Sequence, residues 1–166
     1  EYELIIHAAA YTNVIKAEKE KEKCFEVNIM GTVNLLNTTL NAKFVYISSE
    51  YARNPLNFYS KTKKWAEELV RKRENHLIIR TSFINRPFPH LEAFCDQNTQ
   101  GDYVDITAPV IAKEIIEGKS GTIYVGTGRK TMFQLARQTK LNIKGISVDD
   151  IKSVVTEDPF PHSQTC

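Results

Sequence analysis

A tyrosine and a lysine four residues apart, Tyr59 and Lys63, are the residues whose spacing most directly suggests chemistry. On a helix, side chains at this spacing share one face with Cβ atoms about 5–6 Å apart, so the Lys63 ammonium is expected to act on the Tyr59 phenol. A free tyrosine titrates at about pH 10, and a nearby ammonium or the positive end of a helix dipole lowers that pKa. Ser49 lies shortly before them, and its hydroxyl is expected to hydrogen-bond a carbonyl oxygen beside the phenol. The spacing therefore predicts an acid–base site.

The sequence also predicts the elements that must position these three side chains. Residues 44–47 are an apolar run of strand length that ends in two serines, and a second strand is predicted over residues 77–83. Between them, residues 58–73 are predicted to form a helix. A tyrosine and a lysine at this spacing also fit an ordinary surface helix without chemistry. The order of strand, hydroxyl, helix and strand therefore carries more weight than the spacing alone.

Helical spacing of apolar residues predicts which faces of the helices are buried. In residues 24–40 an apolar stripe is formed by Phe25, Ile29, Val33, Leu36 and Leu40. Asn28 lies within this helix, and two interpretations stay open: a partner across the helix–sheet interface, or a side chain in solvent. In the helix over residues 58–73, the same reasoning predicts that Trp65 is a core anchor and that Glu67 faces water.

Residues 2–9 begin the chain with an apolar run that fits a strand covered on both faces. Three small residues, Ala8, Ala9 and Ala10, end this run. In a doubly wound sheet a dinucleotide lies beyond the carboxyl ends of the strands, where alanines let the backbone approach closely. Three alanines packed under a helix are the alternative interpretation.

Beyond residue 83 the sequence is less periodic. Residues 84–105 are predicted to be loop-like, because Pro87 and Pro89 break any helix. Thr107 and Thr131 are each predicted to be a helix N-cap, since a threonine hydroxyl accepts a hydrogen bond from a backbone N–H group of the first turn.

Composition and length restrict the class of protein. With 166 residues, 42% of them hydrophobic and 25% charged, the chain is expected to be one globular domain. A net charge of +2 with interspersed acidic and basic residues gives no sign of nucleic-acid binding. Its apolar runs are far shorter than the ~20 residues that span a bilayer, and its N-terminus lacks a signal-peptide layout. We therefore expect a cytoplasmic protein with no membrane partner.

Cysteine and histidine spacing suggests no metal site. The three cysteines, Cys24, Cys95 and Cys166, are odd in number and far apart, which predicts neither a disulfide framework nor a metal knuckle. The four histidines are His7, His76, His90 and His162, and they show no ligand spacing either.

Several segments in order resemble the dTDP-4-dehydrorhamnose reductases of the extended short-chain dehydrogenase/reductase superfamily. They are HAAAYTNVIKAEKE at 7–20, FEVNIMGTVNLL at 25–36, YISSEYA at 46–52, FYSKTKKWAEELV at 58–70 and LIIRTSF at 77–83. The resemblance runs in register from about residue 2 to about residue 140. It implies an α/β fold, a partial Rossmann-like doubly wound parallel sheet in a single domain over residues 1–166. Substrate-side segments are expected at about residues 84–107 and 141–166.

The resemblance also implies roles for individual residues. The catalytic residues would be Ser49, Tyr59 and Lys63. The cofactor-binding residues would be Ala8, Ala9, Ala10, Tyr11, Asn28, Lys63 and Thr81. The substrate-binding residues would be Glu50 and Phe83, the latter standing where a tryptophan is common in the family. The loop between Tyr51 and Tyr59 is shorter than in the family, which leaves the identity of the sugar open.

The implied reaction is reduction of a nucleotide-linked 4-keto-6-deoxy sugar with NADPH or NADH, in deoxysugar or surface polysaccharide biosynthesis. Two alternatives share the same tyrosine and lysine: a nucleotide-sugar epimerase or dehydratase of the superfamily, and a non-catalytic NAD(P)-binding regulatory subunit. Bound NAD⁺ that survives turnover would favour the first, and cofactor binding without oxidation would favour the second.

A Gly-rich phosphate-binding turn is the expected feature that these 166 residues do not contain. Neither G-x-x-G-x-x-G nor G-x-G-x-x-G occurs, although the pyrophosphate of a dinucleotide is usually held by such a turn and the helix after it. We therefore expect the catalytic portion of a longer reductase, or a product completed by another chain or a homodimer. The strand over residues 2–9 would then present an apolar edge.

Overall fold

The computed structural model of the chain describes residues 2–152. The helices and strands in chain order are β1 Leu4–His7, α1 Val14–Lys19, α2 Lys21–Phe25, a π-helical turn Glu26–Met30, α3 Gly31–Thr38, β2 Lys43–Ser49, a 3₁₀ turn Glu50–Ala52, α4 Phe58–Val70, β3 His76–Thr81, β4 Phe83–Ile84, β5 Glu92–Phe94, β6 Asn98–Thr99, β7 Asp102–Tyr103, α5 Val104–Ile116, β8 Gly121–Tyr124, β9 Lys130–Thr131, α6 Met132–Arg137, β10 Lys144–Ile146 and α7 Val148–Lys152. Cys166, His162 and the part of the predicted segment 141–166 beyond residue 152 lie outside the described residues.

A four-stranded parallel sheet in the order β1-β2-β3-β8 is the centre of the fold. In its register Ile5 pairs with Phe44, and Ser49 at the end of β2 pairs with Thr81 at the end of β3. Because parallel strands need crossover connections, the helices between them must pack on the faces of the sheet. The predicted α/β fold with a doubly wound parallel sheet is confirmed.

Both faces of the central strands are covered by helices. On one face the buried cluster consists of Ile29, Phe44, Tyr46, Ala66, Val70 and Ile78, so the π-helical turn and α4 pack there. On the other face Val45, Ile47, Leu77, Ile79 and Val125 pack with Ile111 and Ile115 of α5. This two-sided burial fixes the carboxyl ends of β2 and β3 relative to α4.

The edge strand β1 is covered on one face only, so the prediction that residues 2–9 are buried on both faces is wrong. His7 is 4% exposed and Ile5 packs against the α4-side cluster, but Leu4 and Ile6 are 40% and 52% exposed. The reason is position: β1 pairs with β2 alone, and α5 packs over β2 and β3. Within the described residues β1 therefore has the open apolar edge that the sequence predicts.

The orientation of α4 differs from the prediction. Trp65 is 46% exposed, with its ring against that of Phe58, whereas Glu67 is fully buried. Glu67 turns inward because two cationic side chains and a hydroxyl bind its carboxylate from the sheet and from its own helix. The fully buried apolar residues of α4 that face the sheet are the small Ala66 and Val70, with the partly buried Leu69 packed beside them.

Within residues 84–146, β8 belongs to the main sheet and α5 packs on it, whereas the other elements are short and lie beside the sheet. The loop-like prediction for residues 84–105 is therefore only partly right. The strand pairs β4–β7, β5–β10 and β6–β9 accompany a third buried cluster, formed by Phe88, Ala93, Tyr103, Leu135, Ala136 and Ile143. Thr131 caps α6 as predicted, through a capping box with Gln134. The N-cap prediction for Thr107 is wrong, because α5 already begins at Val104.

Across residues 2–152, no helix has the length and apolar character needed to cross a membrane.

Candidate active site

The hydroxyls of Ser49 and Tyr59 meet at the carboxyl end of the sheet. Ser49 is the last residue of β2 and is 5% exposed. Tyr59 lies in the first turn of α4, which begins after a capping box between Asn57 and Ser60. A hydrogen bond joins the Ser49 hydroxyl to the Tyr59 phenol, and the Ser49 oxygen also accepts the Tyr51 backbone N–H at 3.2 Å. The structure thus brings together the two side chains that the sequence places on either side of a carbonyl oxygen.

The pKa of Tyr59 differs from the prediction. Desolvation raises the pKa of the phenol to about 12; the Ser49 hydrogen bond acts to lower it, and Cys24 adds a smaller increase. The expected lowering by Lys63 is wrong for this structure, because the energetic penalty of a desolvated phenolate outweighs the favourable interactions. At neutral pH the phenol holds its proton.

Lys63 is buried and directed at β2. Its ammonium donates to the Ile47 carbonyl oxygen at 2.8 Å, and its Nζ lies 4.2 Å from the centroid of the Tyr46 ring. Burial lowers the pKa of Lys63 to about 7, although Glu67 and Cys24 act in the opposite direction. Because the amine is only partly protonated near neutral pH, its effect on the Tyr59 pKa is weakened.

Asn28 links the end of β1 to α4. It lies in the π-helical turn, is 1% exposed, and its Oδ1 accepts the Tyr11 backbone N–H at 2.7 Å. Its Nδ2 donates to the Tyr11 carbonyl at 3.3 Å and to the Thr62 hydroxyl at 2.9 Å. A π-helical turn inserts an extra residue and re-aims the side chains within it. Of the two interpretations of Asn28, the buried side chain with a partner is correct.

Five of the predicted cofactor-binding residues lie at the carboxyl ends of β1 and β3, the two strands that flank β2. Ala8 and Ala9 follow β1 and are exposed, while Ala10 and Tyr11 are partly buried. Thr81 ends β3 opposite Ser49, is 3% exposed, and its hydroxyl has no hydrogen-bond partner among the described residues. An unpaired buried hydroxyl costs about 1–3 kcal/mol, so a polar group of a bound molecule would satisfy it.

The two predicted substrate-binding residues lie in different surroundings. The Glu50 carboxylate accepts the Thr99 hydroxyl at 2.9 Å and the Gln100 N–H at 3.4 Å, and Ser82 also donates to it. Burial raises the pKa of Glu50 although these hydrogen bonds act to lower it. Glu50 thus ties the end of β2 to the 99–100 segment. Phe83 in β4 is 50% exposed and presents an aromatic face.

The sequence does not predict four residues that lie beside the site: His7, Tyr46, Thr62 and Glu67. His7 binds the Thr32 hydroxyl at 3.0 Å, and burial together with Lys63 lowers its pKa to about 4. The only sequence signal was the spacing of Glu67, which follows Lys63 by four residues on the same helix.

No metal-binding cluster of three or more histidine, cysteine or acidic residues is found within residues 2–152. Cys24 is a buried free thiol and Cys95 an exposed one.

Comparison with known proteins gives a consistent picture. The family model of the RmlD substrate binding domain matches residues 1–88, more than half of the chain. The spore coat polysaccharide biosynthesis protein SpsK of Bacillus subtilis is 31% identical over 99 residues, covering 49% of this chain and 35% of that protein. A dTDP-4-dehydrorhamnose reductase of Mycolicibacterium smegmatis is 29% identical over 102 residues, covering 51% and 31%.

A solved structure shows the same similarity in three dimensions. The dTDP-4-dehydrorhamnose reductase of Bacillus anthracis in complex with NADP superimposes with a TM-score of 0.72 at 26% identity, covering 87% of this chain and 66% of that one. The matched region spans about a third of the length of the two curated relatives, at 35% and 31%.

Proposed function

The chain belongs to the RmlD substrate binding domain family, and from that premise we propose that it carries the catalytic portion of an NAD(P)H-dependent reductase of a nucleotide-linked 4-keto-6-deoxy sugar. The observation that supports this most strongly is the desolvated Tyr59 phenol, hydrogen-bonded to Ser49 at the sheet end with Lys63 one helical turn away. The proposal includes a role in deoxysugar or surface polysaccharide biosynthesis and a cytoplasmic location.

The residues at the sheet end fit a nicotinamide cofactor. The exposed Ala8 and Ala9 leave the end of β1 accessible, and the unpaired Thr81 hydroxyl lies beside Ser49 in the strand register. We infer that these residues, with Tyr11 held by Asn28 and the Lys63 ammonium, contact NADPH or NADH. When bound, the cofactor would supply the hydride for the ketone carbon.

Tyr59 would supply the proton for the ketone oxygen. A phenol whose pKa is about 12 keeps its proton at neutral pH, yet it is still more acidic than the alcohol formed when a ketone accepts hydride. Proton transfer to the developing alkoxide is therefore favourable. Ser49 would hydrogen-bond the same oxygen and hold it in place, and the Lys63 ammonium would stabilise the phenolate that remains.

Glu50 and Phe83 are proposed to act on the substrate side. The Glu50 carboxylate fixes the 99–100 segment next to the end of β2, and the exposed Phe83 ring offers an apolar wall for a sugar.

The outer edge of β1 carries backbone N–H and C=O groups that pair with no other strand of the described residues. We propose that this edge is covered by another strand, from a longer polypeptide, a completing chain or a homodimer.

The direct test is to incubate the protein, in the longer polypeptide or assembly that covers the edge of β1, with NADPH and dTDP-4-dehydrorhamnose and to follow both compounds. We expect one NADPH oxidised for each sugar reduced. An epimerase or dehydratase would convert a nucleotide sugar with its bound NAD⁺ unchanged, and a regulatory subunit would bind NADPH without oxidising it. Either result would contradict the reductase proposal and select the corresponding alternative.

A further inference from the structure

Glu67 is a buried carboxylate that the proposed chemistry does not use. Its side chain is fully buried, and its two oxygens accept four hydrogen bonds. Oε1 accepts from the Ser48 hydroxyl at 2.6 Å and from Arg80 Nε at 2.9 Å. Oε2 accepts from Arg80 Nη2 at 2.6 Å and from Arg71 Nη2 at 2.8 Å. A charge taken out of water needs partners of this kind, so the arrangement is specific.

These bonds join three elements at one point. Ser48 and Arg80 are register partners in β2 and β3, and Glu67 reaches both from α4. The planar Arg80 guanidinium binds the carboxylate through two nitrogens, which fixes orientation as well as distance. The carboxylate therefore sets how α4 lies on the two strands.

The joined positions are direct neighbours of the candidate catalytic residues. Ser48 precedes Ser49, and Arg80 precedes Thr81, whose hydroxyl is unpaired. Along α4, Glu67 lies one turn beyond Lys63 and two turns beyond Tyr59. A shift of α4 on the sheet would thus change the Ser49–Tyr59 hydrogen bond and the Lys63–Ile47 contact together.

Charged and titratable groups surround Lys63 on several elements. Glu67 acts from α4, Cys24 from α2 and His7 from β1, while the Tyr46 ring lies under the ammonium from β2. Within this set Glu67 is the largest influence that favours the protonated amine. The Glu67 charge is in turn neutralised by Arg80 and Arg71, which hold its pKa low despite burial.

We propose that Glu67 is a positioning residue of the active site. Its carboxylate holds α4 on the ends of β2 and β3 and so keeps Ser49, Tyr59 and Lys63 in their relative positions. The proposal rests on the proposed reductase function for its kinetic consequence. Its structural consequence, a change at Lys63, does not depend on turnover.

The kinetic arm compares Glu67→Gln with Glu68→Gln, which removes an exposed carboxylate from the next residue of the same helix. We expect kcat for ketone reduction to fall about tenfold or more in Glu67→Gln, since small misplacements of catalytic groups carry costs of that size. We also expect the alkaline limb of its kcat profile to move to lower pH, because Lys63 loses its proton more readily. Glu68→Gln should match the wild type in both respects, and equal behaviour of the two variants would overturn the proposal.

The second arm needs no substrate. Side-chain NMR of Lys63 in the full chain should give a lower pKa in Glu67→Gln than in the wild type, where it is about 7, and no change in Glu68→Gln. Unchanged NMR signals of Tyr59 and Lys63 in Glu67→Gln would overturn the proposal even if ketone reduction is never observed, because removing a carboxylate that holds α4 in place must move these side chains. Absence of reduction in the wild type, with the NMR shift present, would instead count against the reductase function alone.

Ser48→Ala keeps the proposal testable if Glu67→Gln does not fold. This variant removes one hydrogen bond to the carboxylate and leaves every charge in place. We expect kcat to fall several-fold with no movement of the pH profile. Wild-type kcat in a folded Ser48→Ala protein would show that the link between Glu67 and β2 does not position the site.

Discussion

The centre and the edge of the sheet differ in how completely they are buried. In β2, residues 44–49 are all buried, and polar groups near the end of the strand bind side chains of α4. In β1, Ile6 is 52% exposed, and the residues after the strand are largely open to solvent. The proposed proton-transfer groups are therefore mounted on the rigid centre, and most of the proposed cofactor contacts lie on the open edge.

The difference shows which properties the described residues supply by themselves. Desolvation at the centre shifts the pKa values of Tyr59 and Lys63 in opposite directions, to about 12 and about 7. Such shifts require low-dielectric surroundings, which the packing of α4 against the central strands provides for these two side chains. At the edge, by contrast, Asn28 is the main connection: it holds Tyr11 through both backbone groups.

Among changes in the two strands, the largest expected effect is on turnover, through Ser49→Ala at the end of β2. Loss of this hydroxyl removes the hydrogen bond that opposes the rise in the Tyr59 pKa. We expect kcat to fall about 10²–10³-fold, the usual cost of one donor at a reacting oxygen. NADPH oxidation measures this, with Ser120→Ala, an exposed serine before β8, as the control. A fall below threefold would place Ser49 outside the reacting groups.

The stability of the two strands can be compared through isoleucine. Ile47 is 9% exposed in the core of β2, so Ile47→Ala should lower the free energy of unfolding by about 2–5 kcal/mol. Ile6 is half exposed in β1, so Ile6→Ala should cost about 1 kcal/mol or less. Urea unfolding of both variants tests the contrast. Similar losses would mean that β1 is covered as fully as β2.

His7 lies on the covered face of β1, and its burial should make the stability of the protein depend on pH. Burial and the Lys63 charge lower its pKa from 6.5 to about 4, so the unfolded chain binds a proton there before the folded chain does. The corresponding stability is present above pH 6.5 and is lost as the pH falls toward 4. The free energy of unfolding of the wild type should therefore fall between pH 7 and 4.5. In His7→Gln this fall should be smaller by on the order of 1–2 kcal/mol. His90→Gln, at an exposed site, should leave that loss unchanged, and equal curves for all three proteins would refute the assignment.

Thr81→Val should give the smallest effects, a gain in stability and a loss of NADPH affinity. Replacing the unpaired buried hydroxyl by a methyl group should raise the free energy of unfolding by about 0.5–1 kcal/mol. The same change should weaken NADPH binding several-fold if the hydroxyl contacts the cofactor. Calorimetry and urea unfolding measure the two quantities. A stability loss above 1 kcal/mol would show that the hydroxyl already has a partner in the free protein.

Much of the fold was predictable because its signals are local. Apolar periodicity predicts the strand over residues 44–47 and the helix with Tyr59. The sequence also predicts Thr131 as an N-cap, and the structure adds the capping box with Gln134. Thr107 shows the same local signs ahead of Pro109, yet α5 starts at Val104 and includes that proline. The start of α5 follows β7 directly, and there Tyr103 is anchored by its hydroxyl to α6, a contact distant in sequence.

The site was predictable in position and not in electrostatics. The order of elements was enough to predict that Ser49 and Tyr59 meet. The buried charge of Glu67 was not predictable from α4, since its partner Arg80 comes from β3 and any helix pattern assigns a glutamate to solvent. The Tyr59 pKa likewise depends on how deeply the phenol is desolvated, which no spacing reports.

Turnover of Tyr59→Phe tests the central claim most directly. The substitution removes one hydroxyl, so the folded state and NADPH binding should change little, while reduction of dTDP-4-dehydrorhamnose should fall about 10²–10⁴-fold through loss of the proton donor. Circular dichroism and an NADPH titration of the same preparation confirm that the variant is folded and still binds cofactor. Reduction at the wild-type rate would show that another group delivers the proton, and the role assigned to Tyr59 would be wrong.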